Sequence, residues 1–170
     1  VRVVNGWAPQ REIYFYAVFS EPFSEVVAKI DDKEMGAVSE GEGRKVTLAA
    51  KFNKPAKEIT VKVGISSVST EGAKLNYNTE IADKSFNKVR REAMAEWDKE
   101  LSKIKIEASE SDKRIFYTSM YHALAAPIIF SDVDGNYRGM DGKIHNSGNE
   151  PHYTLFSFWV TFRATNQIYT

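Results

Sequence analysis

Tyr153 to Thr170 reads YTLFSFWVTFRATNQIYT, and how this stretch is read decides the fold. Taken as a helix, it is apolar on nearly every side: Leu155, Phe156, Phe158, Trp159, Val160, Phe162, Ala164 and Ile168. A helix apolar all round belongs inside a structure, with other elements packed against it. Trp159, Thr161 and Arg163 each carry a polar group that burial forces to find a partner. No Gly or basic last turn closes the pattern. The expectation is a buried helix whose neighbours belong to a larger protein.

Outward from it, the preceding residues set the context. Residues 128–152 alternate apolar pieces with Asp134-Gly135 and Asp141-Gly142, which predicts a hairpin-like excursion with two tight turns. Before that, Phe116, Met120 and Leu124 share one helical face beside Tyr117, Tyr121 and Ala125, with Pro127 marking the end. Ser109 to Asp112 has the spacing of a capping box, Asp replacing the preferred Glu. Phe86, Val89, Ala93, Trp97 and Leu101 form a second amphipathic stripe, with Ser85 as N-cap and Lys88–Glu92 as an i,i+4 pair. Lys103 to Ala108 alternates and predicts a short strand.

The first third reads as strands. Glu12 to Ser20 is apolar on both alternating sets, as in a strand covered on both faces. Ser24 to Asp31 is a second strand, ended by a turn at Asp31-Asp32-Lys33. Val46, Leu48, Ala50 and Phe52, then Ile59, Val61, Val63 and Ile65, alternate with polar residues. Short strands separated by turns predict an antiparallel β-sandwich portion. The chain therefore divides into 1–69 as β-sandwich portion, 70–110 as linker helices with a short strand, and 111–170 as the start of a helical domain.

Composition removes several function classes. The 170 residues hold 23 basic and 23 acidic side chains, a formal net charge of +0, which argues against a nucleic-acid partner. No apolar run approaches the length of a membrane span. Without cysteine there is no disulfide, thiol catalysis or Cys-type zinc site. Asp132-Val133-Asp134-Gly135-Asn136 invites a calcium-loop reading, but Tyr137 and Lys143 stand where an EF-hand needs Gly and Glu. Turn-forming Asp and Asn explain the pattern better. His122, His145 and His152 lack helical ligand spacing, and His122, among aromatics, reads as a core histidine. Trp97 reads as core stripe; Trp7 reads as packing or a sugar platform, with packing favoured. Arg163, four residues after Trp159, needs an internal carboxylate, such as one of the Asp residues at 132–141, or a polar ligand.

Phe130-Ser-Asp-Val-Asp-Gly-Asn-Tyr-Arg-Gly-Met-Asp-Gly142, followed by Tyr153-Thr-x-Phe-Ser-x-Trp-x-Thr-Phe-Arg-Ala164, resembles the alpha-mannosidases of glycoside hydrolase family 92. Phe116-Tyr117-x-x-x-Tyr121-His122 with Ala126-Pro127, and Gly6-Trp7-Ala8 leading to Tyr14-Phe15-Tyr16-Ala17-x-Phe-Ser20, are similar to that family too. The resemblance implies a β-sandwich joined by linker helices to the first helices of an (α/α) toroid. It implies calcium-dependent, inverting, exo-acting hydrolysis of terminal α-linked mannose by a bacterial periplasmic or extracellular protein. A mannose-containing glycan and the remainder of its own polypeptide are the implied partners. Trp159 and Arg163 match the family motif as substrate-binding residues; the catalytic carboxylates and calcium ligands are expected beyond Thr170. Residues 1–170 alone are then expected to be inactive.

Two departures carry weight. Val160 stands where the family has an Asp expected to bind mannose hydroxyls, and Ala164-Thr165-Asn166-Gln167-Ile168 replaces Ala-x-His-Pro-Leu. Val160 accepts no hydrogen bond, and losing a charge-assisted one costs about 1.5–3 kcal/mol. A non-catalytic glycan-binding paralogue and a structural or interaction module are the alternatives that follow.

Overall fold

The computed structural model describes residues 2–4, 11–53, 58–154, 161–162 and 165–168. Antiparallel sheets come first and helices second, the order that the periodicities predict. Two compact units divide the chain: residues 17–63, and residues 1–16 with 64–170.

Within 17–63, β3 (Phe23–Ile30) is the centre of a sheet, flanked by β4 (Lys33–Ala37) and β5 (Val46–Phe52), both antiparallel to it. The β3–β4 hairpin is closed by Asp31 and Asp32, both at positive φ (46° and 67°). That conformation gives a two-residue turn the twist its strands need, and Asp tolerates it by bonding locally. The Asp31 carboxylate is held across the sheet, accepting from the Lys45 backbone N–H at 2.9 Å. Strand β4 is too short and polar to show in the sequence, and every residue in it is exposed. Phe19, Phe23 and Phe52 meet edge-on with centroids 5.8–6.5 Å apart, the main apolar cluster here.

In the larger unit, β1 (Arg2–Val4) pairs antiparallel with the start of β2 (Arg11–Phe19), in a sheet of order β1-β2-β6 with β6 (Val61–Ser66). The expectation that β2 is covered on both faces fails at Phe15, which is 57% exposed. Strand β6 leads directly into α1 (Thr70–Glu80), capped by Ser69, whose hydroxyl accepts from the Gly72 N–H at 3.0 Å. Gly64 makes this approach close: a Cβ there would lie 2.2 Å from the Ala73 carbonyl oxygen. Helix α1 shows no apolar stripe because the residues it buries are Ala73 and Asn76, one small and one polar. The sequence pattern therefore passes over it.

Helices α2 (Phe86–Leu101) and α3 (Glu110–Leu124) follow the predicted stripes and start at the predicted caps, Ser85 and Ser109. Trp97 of α2 and Tyr121 of α3 meet at 4.5 Å between ring centroids. Ser109 accepts from the Asp112 N–H and donates to its carboxylate at 2.7 Å. The shorter Asp thus meets the cap hydroxyl where a Glu would reach the cap backbone. Lys88 is 4.0 Å from Glu92, while Lys84 holds the same carboxylate at 2.8 Å and lowers its pKa. Lys103–Ala108 is not a strand: no ladder forms, and the Ile104 carbonyl instead accepts from the Tyr117 hydroxyl of α3.

A hairpin of β7 (Asn136–Arg138) and β8 (Ile144–Asn146) occupies the predicted excursion. Gly135 and Gly142 sit at φ +83° and +75°, the left-handed region that the two Asp-Gly turns require. Tyr153, expected to open a helix, instead bridges Ile129 antiparallel, and Thr154 N–H donates to the Ile128 carbonyl. Further on, Thr161 is helical and buried, and a short helix α4 spans Thr165–Ile168. None of the described helices is long and apolar enough to cross a membrane.

Candidate functional site

The best-built polar cluster lies in the larger unit, where β6 turns into α1 and meets the loop before β7. Ser66, Asn76 and Asp132 are all nearly buried, at 5%, 7% and 6% exposure. One Asp132 carboxylate oxygen accepts from the Ser66 hydroxyl at 2.6 Å and the other from the Asn76 amide at 2.8 Å. The same amide nitrogen also donates to the Ile65 carbonyl, and its oxygen accepts from the Val133 N–H at 2.9 Å. The Ser66 oxygen accepts in turn from the Val68 and Ser69 N–H groups. Gly72 leaves room for the carboxylate, since a Cβ there would be 2.4 Å from it. Neutral donors thus satisfy a buried charge, as burial requires.

A second set of contacts flanks the first. The Arg138 guanidinium donates to the Ser67 carbonyl at 3.0 Å, the Gly142 carbonyl at 3.0 Å and the Val68 carbonyl at 3.3 Å. It also lies 3.1 Å from the Glu12 carboxylate, which accepts from the Tyr14 hydroxyl at 2.9 Å. That hydrogen bond to Glu12 holds the Tyr14 phenol above its ordinary pKa. On the hairpin, Tyr137 stacks on His152 with centroids 3.8 Å apart and on His145 at 5.7 Å. His145 meets the Asp141 carboxylate at 3.0 Å, which with the Lys143 N–H draws its pKa below the usual carboxylate range.

Both Asp132 oxygens accept hydrogen bonds from neighbours, so the carboxylate is part of a structural network. The 132–136 loop does not fit a calcium ion: Asp134 accepts from the Asn136 backbone and side chain, the Asx turn that composition favoured. Among the described residues, no three His, Cys, Asp or Glu side chains are grouped to hold a metal. A shallow recess of about 350 Å³ between α2 and α3 is lined by Ala93, Glu96, Trp97, Glu100 and Leu124.

The predicted substrate-binding residues, Trp159 and Arg163, lie outside the described residues, as do Val160 and Trp7. His122 is not a core histidine. It is exposed because Met120, two positions earlier, takes the buried face of α3. Sequence reasoning missed Ser66 and Asn76 and read Asp132 as a turn residue or as one of the carboxylates that could pair with Arg163. The available signal was an Asn in a helix without an apolar stripe.

The model of the glycosyl hydrolase family 92 catalytic domain matches residues 72–170. Among solved structures, the family GH92 alpha-mannosidase BT3965 from Bacteroides thetaiotaomicron is similar over 96% of this chain, with 36% identity and a TM-score of 0.83. A second structure of that protein is a complex with mannoimidazole. The family GH92 inverting mannosidase BT2199 from Bacteroides thetaiotaomicron VPI-5482 is 28% identical over 92% of the chain, with a TM-score of 0.83. The GH92 glycosyl hydrolase ccman5 is 30% identical over 86%, with a TM-score of 0.80. The chain spans only 23%, 22% and 20% of these three proteins. No curated protein matches it. With a family model covering more than half of its residues, the chain belongs to glycosyl hydrolase family 92.

Proposed function

We propose that these residues are part of an exo-acting α-mannosidase that releases terminal α-linked mannose from glycans with inversion and requires calcium. The observation that carries this is the 36% identity, over 96% of the chain, to a GH92 alpha-mannosidase. Two printed descriptions add support: a relative captured with mannoimidazole, and another described as an inverting mannosidase. Inversion uses two carboxyl groups roughly 6.5–9.5 Å apart with water between them. Asp132, the buried carboxylate described above, is occupied structurally. As the family resemblance implies, the acid, the base and the calcium ligands belong to the part of the family fold outside residues 1–170, and these residues alone are inactive. Trp159 and Arg163 contribute to the mannose-binding wall, and the protein works in the periplasm or outside the cell.

Val160 favours a second reading, a glycan-binding protein without turnover, because it removes an acceptor from the motif. Mannose release from an α-mannoside decides between them, using a polypeptide of full family length that carries these residues. Release that chelator abolishes and calcium restores is the expected result. Mannoside binding without release establishes the second reading. Release unaffected by chelator overturns the calcium requirement.

A further inference from the structure

Asp141-Gly142, in the turn between β7 and β8, and Asp134-Gly135, just before β7, are the same dipeptide. In such a pair the Gly nitrogen is able to attack the preceding side-chain carboxyl, since Gly has no Cβ to hinder the approach. A C–N bond forms, the carboxyl hydroxyl and the amide hydrogen leave as water, and a succinimide results. Water reopens that ring at either carbonyl. One opening restores Asp; the other gives isoaspartate, in which the chain runs through the side-chain carbon. No oxidant or other co-reactant is consumed.

The fold holds the two pairs differently. At Asp134-Gly135, the carboxylate oxygens accept from the Asn136 backbone and side chain at 3.0 and 2.7 Å, and the Asp134 carbonyl accepts from the Asn146 amide at 3.0 Å. The Gly135 carbonyl is taken by the Ser147 N–H and hydroxyl. Gly135 is buried, and a Cβ there would lie 2.6 Å from the Gly148 carbonyl oxygen. Gly142 is exposed, with nothing within 4 Å of where its Cβ would be. What holds Asp141 is chiefly one side chain: His145 Nε2 lies 3.0 and 3.1 Å from its two oxygens, beside the Lys143 N–H at 3.0 Å. Gly139 makes room for this, since a Cβ there would be 2.7 Å from the Asp141 carboxylate and 2.7 Å from the His145 ring.

We infer that Asp141-Gly142 is an isomerisation site held in check by His145, whose imidazole engages both carboxylate oxygens and keeps the carboxyl carbon from turning onto the Gly142 nitrogen. Asp134-Gly135 needs no such side chain, because its surroundings already fix it. The attacking Gly142 N–H is itself occupied, donating to the Gly139 carbonyl at 3.0 Å, so reaction requires the turn to open locally. His145 is also the first cause of the depressed Asp141 pKa, and the ionised carboxylate it favours is the form that resists attack. Isoaspartate at 141 would add a carbon to the chain inside the turn. It would thereby displace the Gly142 carbonyl from the Arg138 guanidinium, which now holds it at 3.0 Å.

The test is incubation of the full-length protein in water enriched in heavy oxygen, at one mildly acidic pH. Each ring opening leaves one heavy oxygen in the chain, read by peptide mass after digestion in ordinary water. Trypsin separates the two pairs by cutting after Arg138. Wild type is compared with His145→Ala and with His145→Phe, which keeps a ring beside Tyr137 but removes the nitrogen. Both variants are expected to take up label at least fivefold faster at Asp141 and within twofold of wild type at Asp134. His145→Phe serves alone if His145→Ala does not fold. Asp141→Glu, which would need a six-membered ring, is expected to remove the label from that peptide. Uptake at Asp141 within twofold of wild type in both variants overturns the inference. An equal acceleration at Asp134 also overturns it, because the hairpin as a whole would then have loosened. So does a variant Asp141 that stays unlabelled while the urea-unfolded chain acquires label there.

Discussion

The two compact units are held together by different kinds of interaction. Residues 17–63 are a three-stranded sheet whose buried apolar residue is Ala28, supported by backbone pairing and three Phe rings. Its charged contacts, Lys45–Asp32 and Lys51–Glu25, are exposed. Among the described residues, the larger unit buries Ala73 and Met120 and, unlike the smaller one, polar side chains as well: Ser66, Ser67, Asn76, Asp132 and Thr161. Apolar contacts tolerate sliding and repacking, whereas a buried carboxylate with fully assigned donors permits one arrangement. The polar unit is thus the one built to fix geometry, and it is the one that carries the family motif.

The contrast is most easily broken at Asp132. Asp132→Ala strands the Ser66 hydroxyl and the Asn76 amide, and with hydrogen bonds to charged groups worth about 1.5–3 kcal/mol each, a loss of about 3 kcal/mol is expected. Denaturant unfolding of the full-length protein measures it. Equal stability in the variant would mean the larger unit is held by apolar contacts after all.

Gly64→Ala sharpens the same point sterically. Its Cβ would meet the Ala73 carbonyl at 2.2 Å and the Tyr77 nitrogen at 2.9 Å, backbone atoms that cannot swing aside. A cost of about 1–3 kcal/mol follows from overpacking, read in the same unfolding experiment. In the smaller unit, Phe52→Ala removes the ring shared by Phe19 and Phe23, and a loss of about 1–2 kcal/mol is expected because the ring is only half-buried.

Charge contributes least. Asp141 has a folded pKa below the usual value, so its pair with His145 adds stability above that value and loses it as pH falls through the folded pKa. Asp141→Asn should therefore narrow the stability difference from wild type toward zero as the solution is acidified into that range. A difference that grows on acidification would reverse the sign. Lys45→Ala, at a pair about 70% exposed on both sides, should change stability by less than about 0.5 kcal/mol.

The same division explains what the sequence revealed. Period-two runs located β5 and β6, apolar runs bounded by turn signals located β2 and β3, and period-3.6 stripes with Ser caps located α2 and α3, because apolar patterning creates those elements. The Asp-Gly pairs located both turns around β7 and β8. Helix α1 escaped because Gly72, Ala73 and Asn76 pack by smallness and hydrogen bonding, which leave no apolar periodicity. Lys103–Ala108 alternated like a strand and formed none, since a ladder needs a partner that alternation cannot supply. The polar network was equally invisible: Ser66 and Asp132 are 66 positions apart, and nothing local marks them as partners. The family motif was legible as a string at 130–142 and 153–164.

If these residues serve a mannosidase that inverts, as proposed, the sugar first released reports it directly. An NMR time course of α-mannoside hydrolysis by the full-length protein should show β-mannose accumulating first and the α-anomer appearing only by mutarotation. Initial release of α-mannose, or no release at all with calcium present, would contradict it.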